Sequence, residues 1–412
     1  MRRNWAGNVT FGAEAYEAPT SLPELQQLVA SARRVRVLGT GHSFNRLADT
    51  SGVQVSLTKM PPEIEIDSQR RQARIAAGLR YGDFVRRLDR AGLALPNLAS
   101  LPHISLAGAC ATGTHGSGDS TQVLASSVRA VELVTADGEL LTIDASCSAF
   151  PGSVVALGSL GVVHALHLDL VDTFDIAQTV YVDAELRAVV DELDYLLAAA
   201  YSVSVFTDWQ PAGRTQVLVK RALGDAAPLA GGLGHAAGEP RHPLPGVDPR
   251  ATTEQLGGPG PWYARLPHFR LDFTPSLGDE LQSELFVSRS DAPAAIATVI
   301  ALRDVVAPVL QVSEIRSIRA DNLWLSPAYA RDTVALHFTW VRDEPAVRAV
   351  MTQVEAALAP FDARPHWGKV FTARPAEVAS RYPRFDDFRA LAQRLDPART
   401  FGNDYLDAYL SA

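Results

Sequence analysis

Cysteine is scarce in this chain. Of the 412 residues, only Cys110 and Cys147 are cysteines. These are too few for a disulfide scaffold and lack the paired spacing that a structural zinc site needs. The sequence therefore excludes a small disulfide-stabilised domain, predicts no bound metal, and is compatible with a reducing compartment.

Long apolar runs and basic runs are also missing. The most apolar stretches, 151–171 and 291–310, are interrupted by glycine, histidine or charged residues, so neither predicts a membrane span. Residues 1–8 lead into polar residues instead of an apolar signal core. The formal charge of −8 comes without basic clusters, which argues against nucleic acid as a partner. We expect a cytoplasmic monomer whose ligand is a small molecule.

Size and composition predict an ordinary globular protein with more than one domain. The chain is 47% hydrophobic and 20% charged, which supplies a sizeable core. Its length exceeds the size at which a single core stops growing. Because the composition and residue pattern of the sequence change near residue 172, we predict three segments: 1–171, 172–375 and 376–412.

Periodicity and turn signals predict an α+β fold. In the first half we expect a helix over 21–32 with Ser21 as N-cap, a strand over 35–38, a helix over 81–91, and a hairpin over 129–142. In the second half we expect a helix over 186–200 and strands separated by helices, which indicates an antiparallel sheet with helices on one face. The strands are predicted over 282–288, 309–318 and 333–341, and the helices over 292–304 and 344–358. Residues 224–260 are rich in glycine and proline and predict a long surface excursion.

The first candidate binding segment is Gly-Thr-Gly-His-Ser-Phe-Asn over residues 39–45. Small residues after a strand can bring backbone N–H groups close to a pyrophosphate, although a simple turn with a surface histidine is an equally plain interpretation. The third glycine of the dinucleotide-binding fingerprint is absent and no helix opens there. A Rossmann domain is therefore disfavoured.

A second such segment covers residues 99–118. Its glycines alternate with serine, threonine and His115, so it offers many donors and few bulky side chains. We expect it to be neither a core helix nor a solvated loop. Two segments of this kind can enclose one extended ligand, while the alternative is an apolar turn buried between domains.

Together these segments, followed by Gly-Ser-Leu-Gly-Val-Val over 158–163, resemble the FAD-binding domain of the vanillyl-alcohol-oxidase superfamily. The resemblance extends over nearly the whole chain and is strongest to the branch of alditol and xylitol oxidases, which is related to the sugar-1,4-lactone oxidases. It implies a PCMH-type FAD-binding domain of two subdomains, a substrate (cap) domain with an antiparallel sheet, and a C-terminal segment that returns to the FAD domain. It also implies that His42 carries a covalent bond to the flavin.

The same resemblance implies the cofactor-binding residues. Residues 37–43 are expected to wrap the pyrophosphate, and the second segment is expected to line the cofactor. The full expected set is Val37, Leu38, Gly39, Thr40, Gly41, His42, Ser43, Ser100, Ser105, Gly108, Thr112, Gly113, Thr114, His115, Val162 and His366. Cys110 raises the further possibility of a second, sulfur-linked attachment, which we disfavour because it lies within the small-residue segment.

Two strands of the second half carry polar side chains on one face. Glu314 and Arg316 are two residues apart and point the same way, which on spacing alone fits either a surface ion pair or a binding site. On the strand 333–341, one face is apolar while the other presents His337 and Thr339. That second face indicates a water-filled cavity. The alternative is that His337 is a core residue whose hydrogen bonds are all made within the protein.

The string His-Trp-Gly-Lys at 366–369 is typical of the alditol and aldonolactone oxidase branch. By resemblance, Ser100, Glu314, Arg316, Thr339 and Lys369 hold the hydroxyls of a polyol. We predict oxidation of a terminal hydroxyl of an alditol, with oxygen reduced to hydrogen peroxide. Oxygen is favoured because Ala99 is small, and a small residue there influences oxygen access in this superfamily.

Two residues are candidates for the proton acceptor. We favour His337, whose unperturbed pKa lies near neutrality, and place Glu314 second. Arg316 or Lys369 is expected to stabilise negative charge on the alkoxide or the reduced flavin. Two alternatives remain at this stage: a sugar-1,4-lactone oxidase or dehydrogenase, and a flavin- or sugar-binding protein without turnover.

Overall fold

The computed structural model describes residues 1–211, 213–225, 233–273 and 278–410. Helices and strands are mixed along the chain, which confirms the predicted α+β class. No helix in these described ranges is long and apolar enough to cross a membrane. The α-helices are Leu22–Ser31, Tyr81–Arg90, Leu106–Ala111, Phe150–Ser153, Leu186–Asp191, Leu193–Ala198, Ala292–Ala301, Arg303–Val306, Glu344–Leu358, Pro375–Ser380, Phe385–Leu395 and Asp404–Leu410.

The first 170 residues build two main sheets. A small parallel sheet places Val53–Val55 between its two partners, Ala15–Glu17 and Val35–Val37. Five antiparallel strands form the second, in the order Ile64–Asp67, Gln72–Ala76, Val162–Asp169, Val128–Val134 and Leu140–Asp144. A short pair, Leu93–Ala94 with Val171–Asp172, follows at the junction to the second half.

The second half is organised by one large antiparallel sheet. Its strands, in spatial order, are His235–Ala236, Asp175–Val182, Gln216–Ala222, Ser202–Thr207, Leu310–Ile318, Thr333–Val341, Glu280–Ser288 and Arg364–Pro365, with Leu256–Pro261 also paired to Asp175–Val182.

One face of this sheet is apolar and packs on helices. Leu285, Leu336 and Phe338 belong to the same buried cluster as Ile296 and Met351 of the helices Ala292–Ala301 and Glu344–Leu358. The opposite face carries Glu314 and His337. The alternation of each strand therefore separates core side chains from site side chains.

Several local predictions are confirmed. Ser21 caps the first helix, since its Oγ accepts a hydrogen bond from the backbone N–H of Glu24. The hairpin of Val128–Val134 and Leu140–Asp144 turns at Gly138, whose φ of 85° suits glycine. The helix Glu344–Leu358 coincides with its predicted range.

Other expectations differ from the structure, among them the helix over 292–304, which is divided at Leu302. The segment 99–118 contains a helix, Leu106–Ala111, because its leucine and alanines favour helix while remaining small enough for the backbone to approach a ligand. The helix expected over 186–200 is interrupted at Glu192, where φ of −108° and ψ of 19° leave the helical region.

The 224–260 excursion is only partly a loop. Residues 226–232 of it lie outside the described residues, but Leu256–Pro261 pairs with the strand Asp175–Val182. Proline is compatible with that position because the strand lies on an edge, where one side of its backbone needs no ladder partner.

The C-terminal helices pack against the first part of the chain. Helix Asp404–Leu410 contacts the turn Arg46–Ala48, and helix Phe385–Leu395 contacts helix Phe150–Ser153. The side-chain amide of Asn403 donates to the carbonyls of Leu47 and Asp49, at 3.2 and 2.7 Å. The last segment thus closes onto the N-terminal part, although the domain limits themselves stay a prediction.

Candidate active site

A cavity of about 890 Å³ runs between the two parts of the molecule. At one end it is lined by the loop 37–43 and by the face of the helix Leu106–Ala111 that carries small side chains. At the other end it reaches the polar face of the large sheet. A cavity of this size and mixed lining is what a cofactor with an adjoining substrate site requires.

The loop end matches most of the predicted binding residues. A Cβ at Gly39 would collide with Ser105 Oγ, so a side chain fits there only if Ser105 moves. Gly41 has a φ of 73°, a conformation that favours glycine. The predicted residues that line the cavity are Val37, Leu38, Gly39, Thr40, Gly41, His42, Ser43, Ser100, Ser105, Gly108, Thr112, Thr114, His115 and His366.

Gly113 and Val162 do not line the cavity. A Cβ on Gly113 would meet Pro327, which does not line the cavity. Val162 is buried in a cluster with Leu25 and Val29. Its neighbour Val163 lines the cavity instead, because successive residues of a strand point to opposite faces.

His42 lies on the cavity wall beside Trp5, with ring centroids 5.0 Å apart. Burial, and after it the charge of His103, lowers the pKa of His42 to about 4. The imidazole is therefore neutral near pH 7, and neither of its ring nitrogens hydrogen-bonds to any other residue that the structure describes. A neutral ring with a free nitrogen is available for bonding to a ligand.

The sheet end is built by strand register. His337 lies directly across from Glu284 on one neighbouring strand and from Glu314 on the other. Gln282 and Thr339 form the next paired position on the same face. Sequence-distant residues thus form one polar surface, and Glu284, Gln282, Glu314, His337 and Thr339 all line the cavity.

Glu284 is the centre of a buried charge cluster that the sequence did not reveal. Its carboxylate accepts from Arg316 Nη2 and Lys369 Nζ, each at 2.8 Å, while His115 Nε2 lies 3.1 Å away. Burial opposes its ionisation, but Lys369, His115 and Arg316 outweigh that effect and hold the pKa of Glu284 well below its usual range. The available signal was weak: Glu280, Gln282 and Glu284 are polar at alternate positions of the strand Glu280–Ser288, which places them on one face.

Glu314 and Arg316 are buried together, so the surface ion pair considered from spacing is wrong. The Nε of Arg316 lies 3.5 Å from Glu314 Oε2, and both side chains are almost inaccessible. Burial raises the pKa of Glu314, but Arg316 and His268 outweigh it and lower that pKa below the ordinary value. Arg316 Nη1 also donates to Ser100 Oγ at 3.3 Å. Ser100, Glu314 and Arg316 are therefore one connected group.

His337 is held in one orientation by Gln282, whose Oε1 accepts from His337 Nε2 at 3.1 Å. The other ring nitrogen, Nδ1, then carries the lone pair. Burial and the charge of Lys369 lower the pKa of His337 to about 3, while Glu284 acts in the opposite direction. The ring is neutral and faces the cavity.

The segment 365–369 is joined to the loop end by Asn45. Its Nδ2 donates to the carbonyls of Trp367 and Lys369, at 2.8 and 3.1 Å. The backbone N–H of Phe44 also donates to the carbonyl of Gly368 at 2.7 Å. The residue that carries the ammonium of the site is thus tied to the loop that carries His42.

Cys110 faces away from the cavity. It is buried, its Sγ lies 3.8 Å from the hydroxyl of Tyr81, and burial raises its pKa to about 12. A buried thiol with a raised pKa is poorly suited to form a covalent bond with a ligand. Within the described ranges, no cluster of three or more histidine, cysteine or acidic residues suits a metal ion.

Fold and site together define an FAD-binding oxidoreductase. The sequence matches the family described as FAD binding domain over residues 13–144 and the family described as D-arabinono-1,4-lactone oxidase over residues 284–409. The fold is similar to that of cholesterol oxidase from Brevibacterium sterolicum, with a TM-score of 0.78 and 14% identity, covering 99% of this chain and 96% of that chain.

Full-length relatives narrow the assignment. The chain is 48% identical to an alditol oxidase from Streptomyces sp. strain IKD472, over 98% of this chain and 97% of the relative. It is 30% identical to an L-gulono-1,4-lactone dehydrogenase from Mycobacterium tuberculosis and 28% identical to an L-gulonolactone oxidase from Mus musculus, each over 98% of this chain and 97% of the relative. The chain belongs to the alditol oxidase branch of the vanillyl-alcohol-oxidase flavoprotein superfamily.

The residues present fit FAD. The cradle at Gly39 and Gly41 leaves backbone groups free of side chains, and Ala107, Gly108 and Ala111 keep the facing wall flat. The cavity continues from this cradle to the polar sheet face. A bound flavin can thus lie between the cradle and the charged cluster.

Proposed function

We propose that this protein oxidises the terminal hydroxyl of an alditol such as xylitol or sorbitol to the aldose, with oxygen reduced to hydrogen peroxide. The observation that carries the proposal is the polar sheet face, where Glu284, Glu314, Arg316, His337 and Lys369 border one end of the cavity. An apolar alcohol would leave the remaining donors and acceptors of this face, such as Arg316 Nε and His337 Nδ1, without partners, whereas a polyol offers hydroxyls to them. The 48% identity to an alditol oxidase supports the same choice.

The roles follow from the geometry of the cluster. FAD, when bound, supplies the hydride acceptor. Ser100, Glu314, Arg316, Thr339 and Lys369 hold the hydroxyl groups of the substrate. Because Arg316 and Lys369 are buried cations, they also stabilise the charge of a developing alkoxide.

His337 takes the hydroxyl proton at Nδ1. Its Nε2 is occupied by Gln282, so Nδ1 is the atom left to accept. A pKa of about 3 makes it a weak base in the free site. The carboxylates of Glu284 and Glu314, which lie across from it on both neighbouring strands, favour the protonated ring as the proton arrives.

We also propose that the flavin is covalently bonded to His42. The neutral ring and its nitrogens, unpaired among the described residues, support this attachment. Acid precipitation of the purified protein tests it. Yellow colour should remain in the pellet of the natural protein and pass to the supernatant for His42→Ala, with Cys110→Ala as the matched control that keeps the colour in the pellet. Colour in the supernatant of the natural protein would contradict the tether.

A second candidate substrate is a sugar 1,4-lactone, because residues 284–409 match the D-arabinono-1,4-lactone oxidase family. A panel of xylitol, sorbitol, glycerol and a 1,4-lactone separates the two candidates when hydrogen peroxide is measured in air. We expect kcat/KM for xylitol or sorbitol to exceed that for the lactone at least ~10-fold, a difference that the fit of one or two hydroxyl hydrogen bonds readily provides. The reverse order would assign the protein to the lactone.

A further inference from the structure

Lys220 is a buried lysine that no role described so far uses. The chain contains three lysines: Lys59 is exposed, Lys369 belongs to the charge cluster, and Lys220 is 1% exposed on the strand Gln216–Ala222. No described carboxylate lies within ion-pair distance of its ammonium. Since an unpaired buried cation is strongly unfavourable, a lysine at this position indicates a specific role.

The ammonium of Lys220 contacts one short segment. It donates to the carbonyl of Leu266 and lies 3.1 Å from Nδ1 of His268. An ammonium has donors only, so Nδ1 of His268 must accept. The ring proton of His268 is thereby placed on Nε2.

His268 in turn forms a hydrogen bond with Glu314. Its Nε2 lies 2.8 Å from Glu314 Oε1 and donates to it. The backbone N–H groups of His268 and Phe269 both donate to the carbonyl of Ser100, at 3.1 and 3.2 Å. The imidazole is therefore fixed by its main chain as well as by its two ring contacts.

The result is a line of three buried groups that ends at the cavity. Glu314 has Oε1 occupied by His268, while Oε2 lies toward Arg316 Nε at 3.5 Å. Burial of Lys220, opposed by the charge of Glu314 and reinforced by that of Arg316, lowers its pKa to about 7. At or below neutral pH, the ammonium is a substantially populated donor to His268.

We propose that Lys220 and His268 are positioning residues that hold the Glu314 carboxylate in one orientation for a substrate hydroxyl. The proposal depends on the proposed polyol oxidation in one respect, namely that Glu314 binds a substrate hydroxyl. The tautomer of His268 is set by contacts within the protein and does not depend on the substrate. Neither residue is a catalytic residue in this scheme, because each acts on the substrate only through Glu314.

The kinetic test compares Lys220→Met with the natural holoenzyme, using Lys59→Met as the control for loss of a lysine charge. Because the carboxylate is used in binding, Lys220→Met should raise KM for xylitol about 10-fold, with kcat changed less than about 3-fold. Lys59→Met should leave both unchanged. In a His268→Gln background, which keeps a donor toward Glu314 but breaks the line, Lys220→Met should change KM less than about 2-fold. An unchanged KM in folded Lys220→Met would overturn the proposal.

A spectroscopic test is independent of turnover. The holoenzyme is labelled with 15N in its histidine rings, and the His268 resonances are assigned by their loss in His268→Gln. We expect a protonated Nε2 and an unprotonated Nδ1 in the natural protein. A ring protonated on Nδ1 alone would refute the positioning line, even if Lys220→Met failed to fold. If instead xylitol produced no turnover while the tautomer was as expected, the proposed substrate would be wrong and the positioning line would stand.

Discussion

Neutralising Glu284 should strongly destabilise this protein. Its side chain is 1% exposed, and it is the shared partner of Arg316 and Lys369, which are 6% and 13% exposed. In Glu284→Gln the shape is kept but the charge is lost, so two cations remain buried with a neutral amide. Removing one partner of a buried ion pair costs about 3–5 kcal/mol, and we expect the free energy of unfolding to fall by that amount.

The assay is urea unfolding of the holoenzyme, followed by tryptophan fluorescence. Glu63→Gln is the matched control, because Glu63 also pairs with an arginine, Arg74, at 2.7 Å but is 44% exposed. Arg74 keeps a second partner in Glu132. The control should therefore lose no more than about 1 kcal/mol. If Glu284→Gln and Glu63→Gln were equally destabilised, the charge cluster would not be the buried unit described here.

Three further predictions concern the site. His337→Ala should lower the rate constant of anaerobic flavin reduction about 100-fold, the usual effect of losing a proton acceptor, and near-normal reduction in stopped flow would remove His337 from that role. Lys369→Met should lower the same rate constant about 100-fold, since one preorganised donor to the developing charge is lost; an effect confined to KM would make Lys369 a binding residue only. The pH dependence of stability should also involve Lys220, whose folded pKa of about 7 lies below the unfolded value of 10.5. Between these two pH values the unfolded chain binds more protons than the folded protein, so the free energy of unfolding rises with pH. Between pH 7 and 9 the natural protein should therefore gain about 2 kcal/mol over Lys220→Met in urea unfolding, and parallel pH profiles would contradict the assigned burial.

Local signals in the sequence predicted much of the fold. The alternation of Val334, Leu336 and Phe338 against His337 and Thr339 separated a core face from a cavity face, and the structure has that division. The hairpin at Gly138 and the cap at Ser21 depend on neighbouring residues alone. Such features are readable because the residues that determine them are adjacent in the chain.

The parts of the site that sequence analysis missed depend on long-range register. Glu284 meets Lys369 across 85 positions, and Lys220 meets His268 across 48. Neither pairing has a local pattern, because a strand shows which face a residue occupies but not which residue lies across from it. Glu284 looked like an ordinary polar residue of a strand until its neighbours were known.

The glycine- and proline-rich excursion was misjudged for another reason. Its composition indicates a surface loop, yet His242 and Leu244 line the cavity and Leu256–Pro261 joins the large sheet. Backbone pairing needs only N–H and C=O groups, so a strand of this kind carries no side-chain alternation to detect. The helix Leu106–Ala111 was missed because its small residues were interpreted only as a ligand-facing surface.

The central claim is that FAD in this cavity accepts a hydride from a polyol. The most direct measurement is anaerobic addition of xylitol to the purified yellow protein, followed at the flavin absorbance, with identification of the product. The account predicts that the colour bleaches, that the aldose forms in an amount equal to the reduced flavin, and that air restores the colour with release of hydrogen peroxide. A flavin that stays oxidised with xylitol and sorbitol, while the protein is folded and loaded with FAD, would contradict it.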